Sequence, residues 1–172
     1  ASNYTVINPT GLTASITAKA LTVTGQSAGN KVYDGNAQAS LSGGALSGLV
    51  GSETLGIGGQ TAVFSDKNAA NGKAVTVTGT SLVDTATGLA SNYTVSNPTG
   101  LTASITAKAL TVTGQSAGNK VYDGNAQASL SGGALSGLVG SETLGIGGQT
   151  AVFSDKNAAN GKAVTVTGTS LV

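Results

Sequence analysis

The chain contains no Cys, His, Trp, Met or Arg, and only 9% of its residues are charged. Without Cys, neither disulfides nor thiol redox chemistry is available. Without His or Cys, the usual zinc site and the Ser-His and Cys-His nucleophile pairs are excluded. These absences remove the commonest metal and nucleophilic active sites. We therefore expect a non-enzyme, with no catalytic residues, no cofactor and no metal.

Charge and long apolar runs are equally scarce. The net charge is +1, which gives no basic surface for nucleic acid or an anionic membrane. No apolar run approaches the ~20 residues of a membrane helix. We expect no nucleic-acid partner and no membrane insertion. Because no targeting segment is recognisable, we also expect the chain to be a fragment of a larger protein.

Small residues dominate what is present, including 27 Gly among 172 residues. Leu, Ile, Val and Phe together number 38, or 22%. This fraction lies just above the roughly 20% below which chains tend to stay disordered, and disorder usually needs a high net charge as well. The composition therefore predicts a folded protein with a thin core.

An internal repeat divides the chain. The segment Ala1–Val6 returns as Ala90–Val95, and the two copies then match to Val172 with one difference, Ile7 against Ser96. We call residues 1–89 the first copy and residues 90–172 the second copy. A period of 89 suits a small domain better than a solenoid coil. We therefore predict two tandem domains, 1–89 and 90–172, arranged end to end as a rod.

Alternating apolar and hydroxyl residues predict strands. Thr61–Ser65 and Lys73–Gly79 alternate in this way and are joined by a turn-forming segment, so they predict a hairpin or neighbouring strand pair. Asn3–Ile7 predicts a further strand. Within the Gly-rich stretch Ser42–Gly59, Gly43-Gly44 and Gly58-Gly59 predict loops, and Leu46–Val50 predicts a short helical turn. The predicted fold class is all-β, with little or no helix, as small β-sandwich or β-grasp-like domains.

The segment Leu12–Gly25 carries a change of alternation. Its apolar residues occupy even positions before Ala18 and odd positions after Ala20, so the buried face switches near Lys19. A bulge would explain this, and so would a strand that leaves one domain's core and enters the next; we favour the second. An alternative frame then follows, with a complete domain at 19–107 and with 1–18 and 108–172 as parts of flanking domains. The sequence leaves both frames open.

Several spaced motifs resemble one known repeat. The matching segments are Lys31–Gly35 and Lys120–Gly124, Phe64–Asn68, Gly72–Val77, Asn92–Val95 and Pro98–Thr106. In this order they resemble YDG repeats, which occur with mostly-β, Gly-rich (MBG) modules in large bacterial exoproteins of the filamentous-haemagglutinin-like adhesin type. The family's repeat frame favours junctions at residues 19 and 108.

The resemblance implies a function without catalysis. It implies a structural stalk or spacer that is secreted or exposed on a bacterial cell surface and projects an adhesive region, with neighbouring repeats as partners and roles in cell adhesion and biofilm. The alternative is a low-affinity, multivalent module that binds cell-surface or matrix polysaccharide. Sugar stacking would need exposed aromatic residues, and each copy has only two Tyr and one Phe.

The motif residues are Tyr33, Asp34, Gly35, Tyr122, Asp123 and Gly124. They have two interpretations: a ligand or Ca²⁺ contact, or a packed tyrosine followed by an Asp-Gly turn. We favour the turn, because Ca²⁺ needs 6–8 oxygens and no second carboxylate follows within a few residues.

Two further acidic positions are candidates of lower weight. Asp66, next to Lys67, could serve a metal or catalysis, but a solvated turn or a weak surface pair is favoured. Glu53 could assist a Lys-Asn isopeptide bond, although nothing in the spacing selects such a trio.

Overall fold

Strands make up the regular structure of this chain. The computed structural model describes residues 2–172, and that range holds one 3₁₀ turn, Ala90–Asn92, and no α-helix. The all-β prediction is confirmed. The strands are β1 Lys19–Ala28, β2 Lys31–Val32, β3 Leu41–Ser47, β4 Gly56–Gly58, β5 Thr61–Phe64, β6 Ala70–Thr78, β7 Ser81–Val83, β8 Tyr93–Val95, β9 Leu101–Thr106, β10 Thr111–Ala117, β11 Leu130–Ser136, β12 Ile146–Gly147, β13 Thr150–Phe153, β14 Val164–Thr167 and β15 Ser170–Leu171.

The backbone forms two compact units. The first unit contains the chain up to Lys31, with Ala37–Asp66 and Asn71–Ser104. The second unit contains Val32–Asn36, Lys67–Ala70 and Ile105–Val172. Each unit therefore includes residues from both sequence copies. The domain boundaries inferred from the sequence stay predictions.

In the first unit, β1 is the central strand of a mixed three-stranded sheet with the order β3-β1-β8. It pairs antiparallel with β3, from Thr22↔Ser47 to Ala28↔Leu41. Its first residues pair in parallel with β8, from Lys19↔Tyr93 to Leu21↔Val95. Since β8 belongs to the second copy, a strand of one copy completes a sheet of the other.

A four-stranded sheet has the order β2-β9-β6-β5. β5 and β6 pair antiparallel, which confirms the predicted hairpin. Phe64, Val75 and Val77 are buried, whereas the intervening threonines are exposed. β9 contributes Ala103 and Ile105 to the buried set. The alternation in the sequence thus becomes one buried and one exposed face.

Part of the Gly-rich stretch forms strands. Gly43 and Gly44 lie in β3 and Gly58 lies in β4, so the prediction of loops is wrong at these positions, and the predicted helical turn is absent. Residues 48–55 lie outside any strand, and β4 pairs with β7. Gly43 has φ 67°, and a Cβ built there would lie 2.6 Å from the carbonyl oxygen of Gly25. Glycine therefore lets β1 and β3 approach at this point.

The second unit contains three two-stranded sheets, β10-β11, β12-β15 and β13-β14. Their registers repeat those of the first copy, so that Thr111↔Ser136 matches Thr22↔Ser47. β14 nevertheless has 4 residues where β6 has 9. The local pairs are preserved, but the sheets that contain them are smaller.

The predicted strand at Asn3–Ile7 is wrong, and no strand extends from residue 12 to residue 18. No residue from Tyr4 to Ala18 is in a strand, and every residue from Ser2 to Ala20 is exposed. The same residues in the second copy form β8 and β9. A strand needs a partner for its backbone hydrogen bonds, and only the later segment has one.

The change of alternation is present between β9 and β10. Ala103 and Ile105 are buried, and the next half-buried apolar residue is Leu110. The two strands are separate, so the expected continuous strand across this region is wrong.

Candidate functional site

The first Tyr-Asp-Gly loop follows β2 directly. The Asp34 Oδ1 accepts the backbone N–H of Asn36 at 3.2 Å, and Gly35 has φ 82°. An aspartate that binds the amide two residues ahead forms an Asx turn, and the positive φ favours glycine at the next position. In this loop the carboxylate therefore holds the backbone of the turn.

The second loop has the same turn, and a lysine contacts its aspartate. Asp123 Oδ1 accepts the Asn125 N–H at 3.1 Å, and Gly124 has φ 81°. Lys120 Nζ lies 2.8 Å from the same carboxylate oxygen. The hydrogen bond from Lys120, followed by that from the Asn125 amide, lowers the pKa of Asp123. The ionised aspartate is thus stabilised within its own loop.

The two motif tyrosines have different environments in spite of identical flanking sequence. Within the second unit, Tyr33 donates its hydroxyl to Glu142 Oε1, and its backbone N–H donates to the Thr106 carbonyl at 2.8 Å. The hydrogen bond to Glu142 is the main cause of a raised Tyr33 pKa. Tyr122 is 60% exposed. The environment of this motif therefore depends on what packs beside it.

A second tyrosine contact was missed from the sequence. Tyr93, which begins β8, is buried and donates its hydroxyl to Glu53 Oε2. The Val50 N–H donates to the same Tyr93 Oη at 3.1 Å. The hydrogen bond to Glu53 raises the Tyr93 pKa. Glu53 and Glu142, one in each copy, thus both receive a tyrosine hydroxyl, but from different positions of the repeat.

Lysines form ion pairs in both hairpins. Lys73 in β6 is buried and lies 2.7 Å from Asp66 Oδ2, whereas Lys67 Nζ lies 3.7 Å from Glu142 Oε1. In the second copy, Lys162 pairs with Asp155, and this hydrogen bond is the main cause of a lowered Asp155 pKa. The structure places Asp66 in an ion pair with Lys73, a partner that the sequence analysis did not select.

Among residues 2–172, no three side chains of His, Cys, Asp or Glu converge as a metal site would require. The same part of the chain has no helix of the length and hydropathy needed to span a membrane.

The second unit has a cavity of about 240 Å³ beside the start of β10. Lys108, Leu110, Val139 and Glu142 line it, together with Tyr33. Their counterparts in the first copy meet β8: Lys19 and Leu21 pair with it, and Val50 and Glu53 bind Tyr93. This cavity therefore corresponds to the place that β8 fills in the first unit.

A second cavity, of about 480 Å³, lies beside β14. Asn119, Lys120, Phe153, Lys162 and Val164 are among its lining residues. The counterparts of these residues in the first copy lie in or next to β2, β5 and β6. In that sheet β9 lies between β2 and β6.

A hydrogen bond supports this correspondence. In the first copy, Asn30 Oδ1 accepts the Ser104 N–H of β9 at 2.7 Å, and Asn30 is the counterpart of Asn119. The second cavity therefore corresponds to the place of β9. The consequence is visible in β14, where Val166 is 37% exposed while its counterpart Val77 is 4% exposed.

The sequence profile of the YDG domain matches residues 17–100 and 106–172, which is most of the chain. The chain belongs to the YDG domain family. No curated protein and no solved structure matches it. The YDG resemblance seen in the sequence is therefore confirmed.

Proposed function

We propose that these YDG domains are a non-catalytic spacer in a secreted or surface-exposed bacterial adhesin of the filamentous-haemagglutinin-like type. The observation that supports this most is the sharing of strands between consecutive copies. β8 from the second copy pairs with β1 from the first, and β9 lies in a sheet with β2, β6 and β5. A link made of ladder hydrogen bonds suits a segment that must transmit tension and hold a distance.

Side-chain chemistry agrees with a structural role. The aspartates of both Tyr-Asp-Gly loops bind local amides, and Lys73 and Lys162 bind aspartates of their own hairpins. Both kinds of contact stabilise turns and strands. We therefore propose that neighbouring repeats are the main partners and that the segment is not an enzyme.

Polysaccharide binding has less support. Phe64 and Tyr93 are buried and Tyr33 is half-buried, so these rings present little surface for stacking on a sugar. Tyr122 is the exposed motif tyrosine, and it lies beside the second cavity. A glycan array probed with the chain should therefore give no signal above that of the Tyr122→Ala variant.

Small-angle scattering under conditions in which the chain is monomeric tests the spacer. One compact globule of this length should have a radius of gyration near ~16 Å, and an unfolded chain one near ~44 Å. Two β domains placed end to end should give roughly 22–27 Å. A value in this middle range with an elongated distance distribution would support the spacer, whereas a value near the compact limit would contradict it.

A further inference from the structure

We propose that residues 3–17 of one molecule bind the second unit of another molecule of this chain. There they add two strands, as β8 and β9 do beside β1 and β6. Each chain would then donate one segment and accept one segment. Such assembly does not depend on the spacer function, because it follows from the sequence identity of the segment and the exposed state of its apolar side chains.

The donor segment is already complete in sequence. Tyr4–Val6 is identical to β8, and Leu12–Thr17 is identical to β9. Ile16 is 102% exposed, whereas its counterpart Ile105 is 1% exposed. Burial of such an exposed apolar side chain against a surface like the one that covers its counterpart is favourable in free energy.

The acceptor surface consists of the two cavities of the second unit. The edge at Lys108–Leu110 matches the edge of β1 that pairs with β8. The larger cavity is lined by Phe153 and Val164, whose counterparts Phe64 and Val75 are buried in the first copy. A strand edge beside half-buried apolar side chains such as these can accept an added strand.

The contacts expected for residues 3–17 are those that β8 and β9 make with the first copy. Tyr4 should pair in parallel with Lys108, as Tyr93 pairs with Lys19. The Ser15 N–H should donate to Asn119 Oδ1, as Ser104 donates to Asn30.

Glu142 can take part even though it already binds Tyr33. In the first unit Tyr93 binds one carboxylate oxygen of Glu53, and a carboxylate has about four lone-pair sites. One carboxylate can therefore accept a hydroxyl from Tyr33 and another from the donor's Tyr4.

The segment binds a second molecule of this chain rather than the second unit of its own molecule. Within one chain, residues 2–18 are exposed while both cavities are present. Binding between different surfaces of identical chains does not close on itself and extends into linear oligomers. We therefore expect the mean mass to rise continuously with concentration rather than stop at a dimer.

Light scattering coupled to size-exclusion chromatography tests the assembly. The variant Ile16→Asp should weaken association by at least about tenfold, because burial of an isoleucine contributes roughly 1.5–3 kcal/mol. Ile7→Ser is the matched control, since it copies the residue that stands at 96, and it should associate as the parent chain does. Both changes lie in an exposed segment outside any strand, so neither should unfold the units.

A peptide with the sequence of residues 90–107 gives the second readout. It should bind the second unit and shift oligomers to monomers, whereas the same peptide with Asp in place of the residue at 105 should do neither. A chain that stays monomeric up to about 1 mM and binds no peptide would overturn the proposal. So would a monomer in which the amides of residues 12–17 are protected, because the segment would then occupy the chain's own second unit.

Discussion

Two segments of almost the same sequence have opposite structures in this molecule. Residues 4–17 are exposed and outside any strand, while residues 93–106 include two strands with buried side chains. Within residues 2–172, the second unit has no strands equivalent to β8 and β9. There β10 and β14, the counterparts of β1 and β6, are shorter, and Val166 in β14 is more exposed than its counterpart Val77. The comparison teaches that the same residues form strands only where partner strands lie beside them, and that each compact unit includes residues from both copies.

The largest effect on stability should come from replacing Ile105, which is buried in β9 while its counterpart Ile16 is exposed. Ile105→Ala should destabilise the four-stranded sheet by about 2–5 kcal/mol, because it leaves a cavity among buried side chains. Ile16→Ala, the same change 89 residues earlier, should alter stability by less than about 0.5 kcal/mol in the monomer. Urea unfolding followed through the amide signals of β5 and β6 measures both. Equal losses would mean that the two segments share one environment.

A smaller difference in stability is expected between substitutions of Tyr93 and of its counterpart Tyr4. Tyr93→Phe removes the hydroxyl that binds Glu53 and the Val50 amide, so two polar groups lose a partner. We expect a clear drop in the unfolding midpoint, smaller than that for Ile105→Ala. Tyr4→Phe should leave the midpoint of the monomer unchanged. A matching drop for Tyr4→Phe would contradict the exposed placement of the donor segment.

The smallest effect concerns pH and the second unit. The pKa of Asp155 is lowered by Lys162, so its ionised form stabilises the folded state. This contribution is present above the ordinary aspartate pKa of about 4 and is lost as the pH falls through the lower folded value. Asp155→Asn should therefore flatten the acid side of the stability profile of the second unit. An unchanged slope would assign the acid sensitivity to other groups, of which Asp123 is the first candidate.

Local pattern predicted part of this fold well. The alternation in Thr61–Ser65 and Lys73–Gly79 predicted a hairpin or neighbouring strand pair, and β5 and β6 form it, because apolar residues on one face and threonines on the other suit a half-buried sheet. The same logic predicted a strand at Asn3–Ile7 and failed there. The pattern is present, but the partner strand is not, and no property of these five residues reveals whether a partner exists.

Contacts distant in sequence were beyond local reasoning. Tyr33 meets Glu142 across 109 positions and Tyr93 meets Glu53 across 40, and nothing in the spacing selects either pair. The repeated segment forms strands at 93–106 and none at 4–17, and this difference is visible only in the structure.

Amide hydrogen exchange on the monomeric chain tests the central claim most directly. The single difference between the copies, Ile7 against Ser96, makes the two peptides that span it distinguishable by mass. The structure predicts strong protection for the peptide that contains β8 and β9, and exchange at the unstructured rate for the peptide from residues 3–17. Equal protection of the two peptides would contradict it, because the two copies would then occupy equivalent places in the fold.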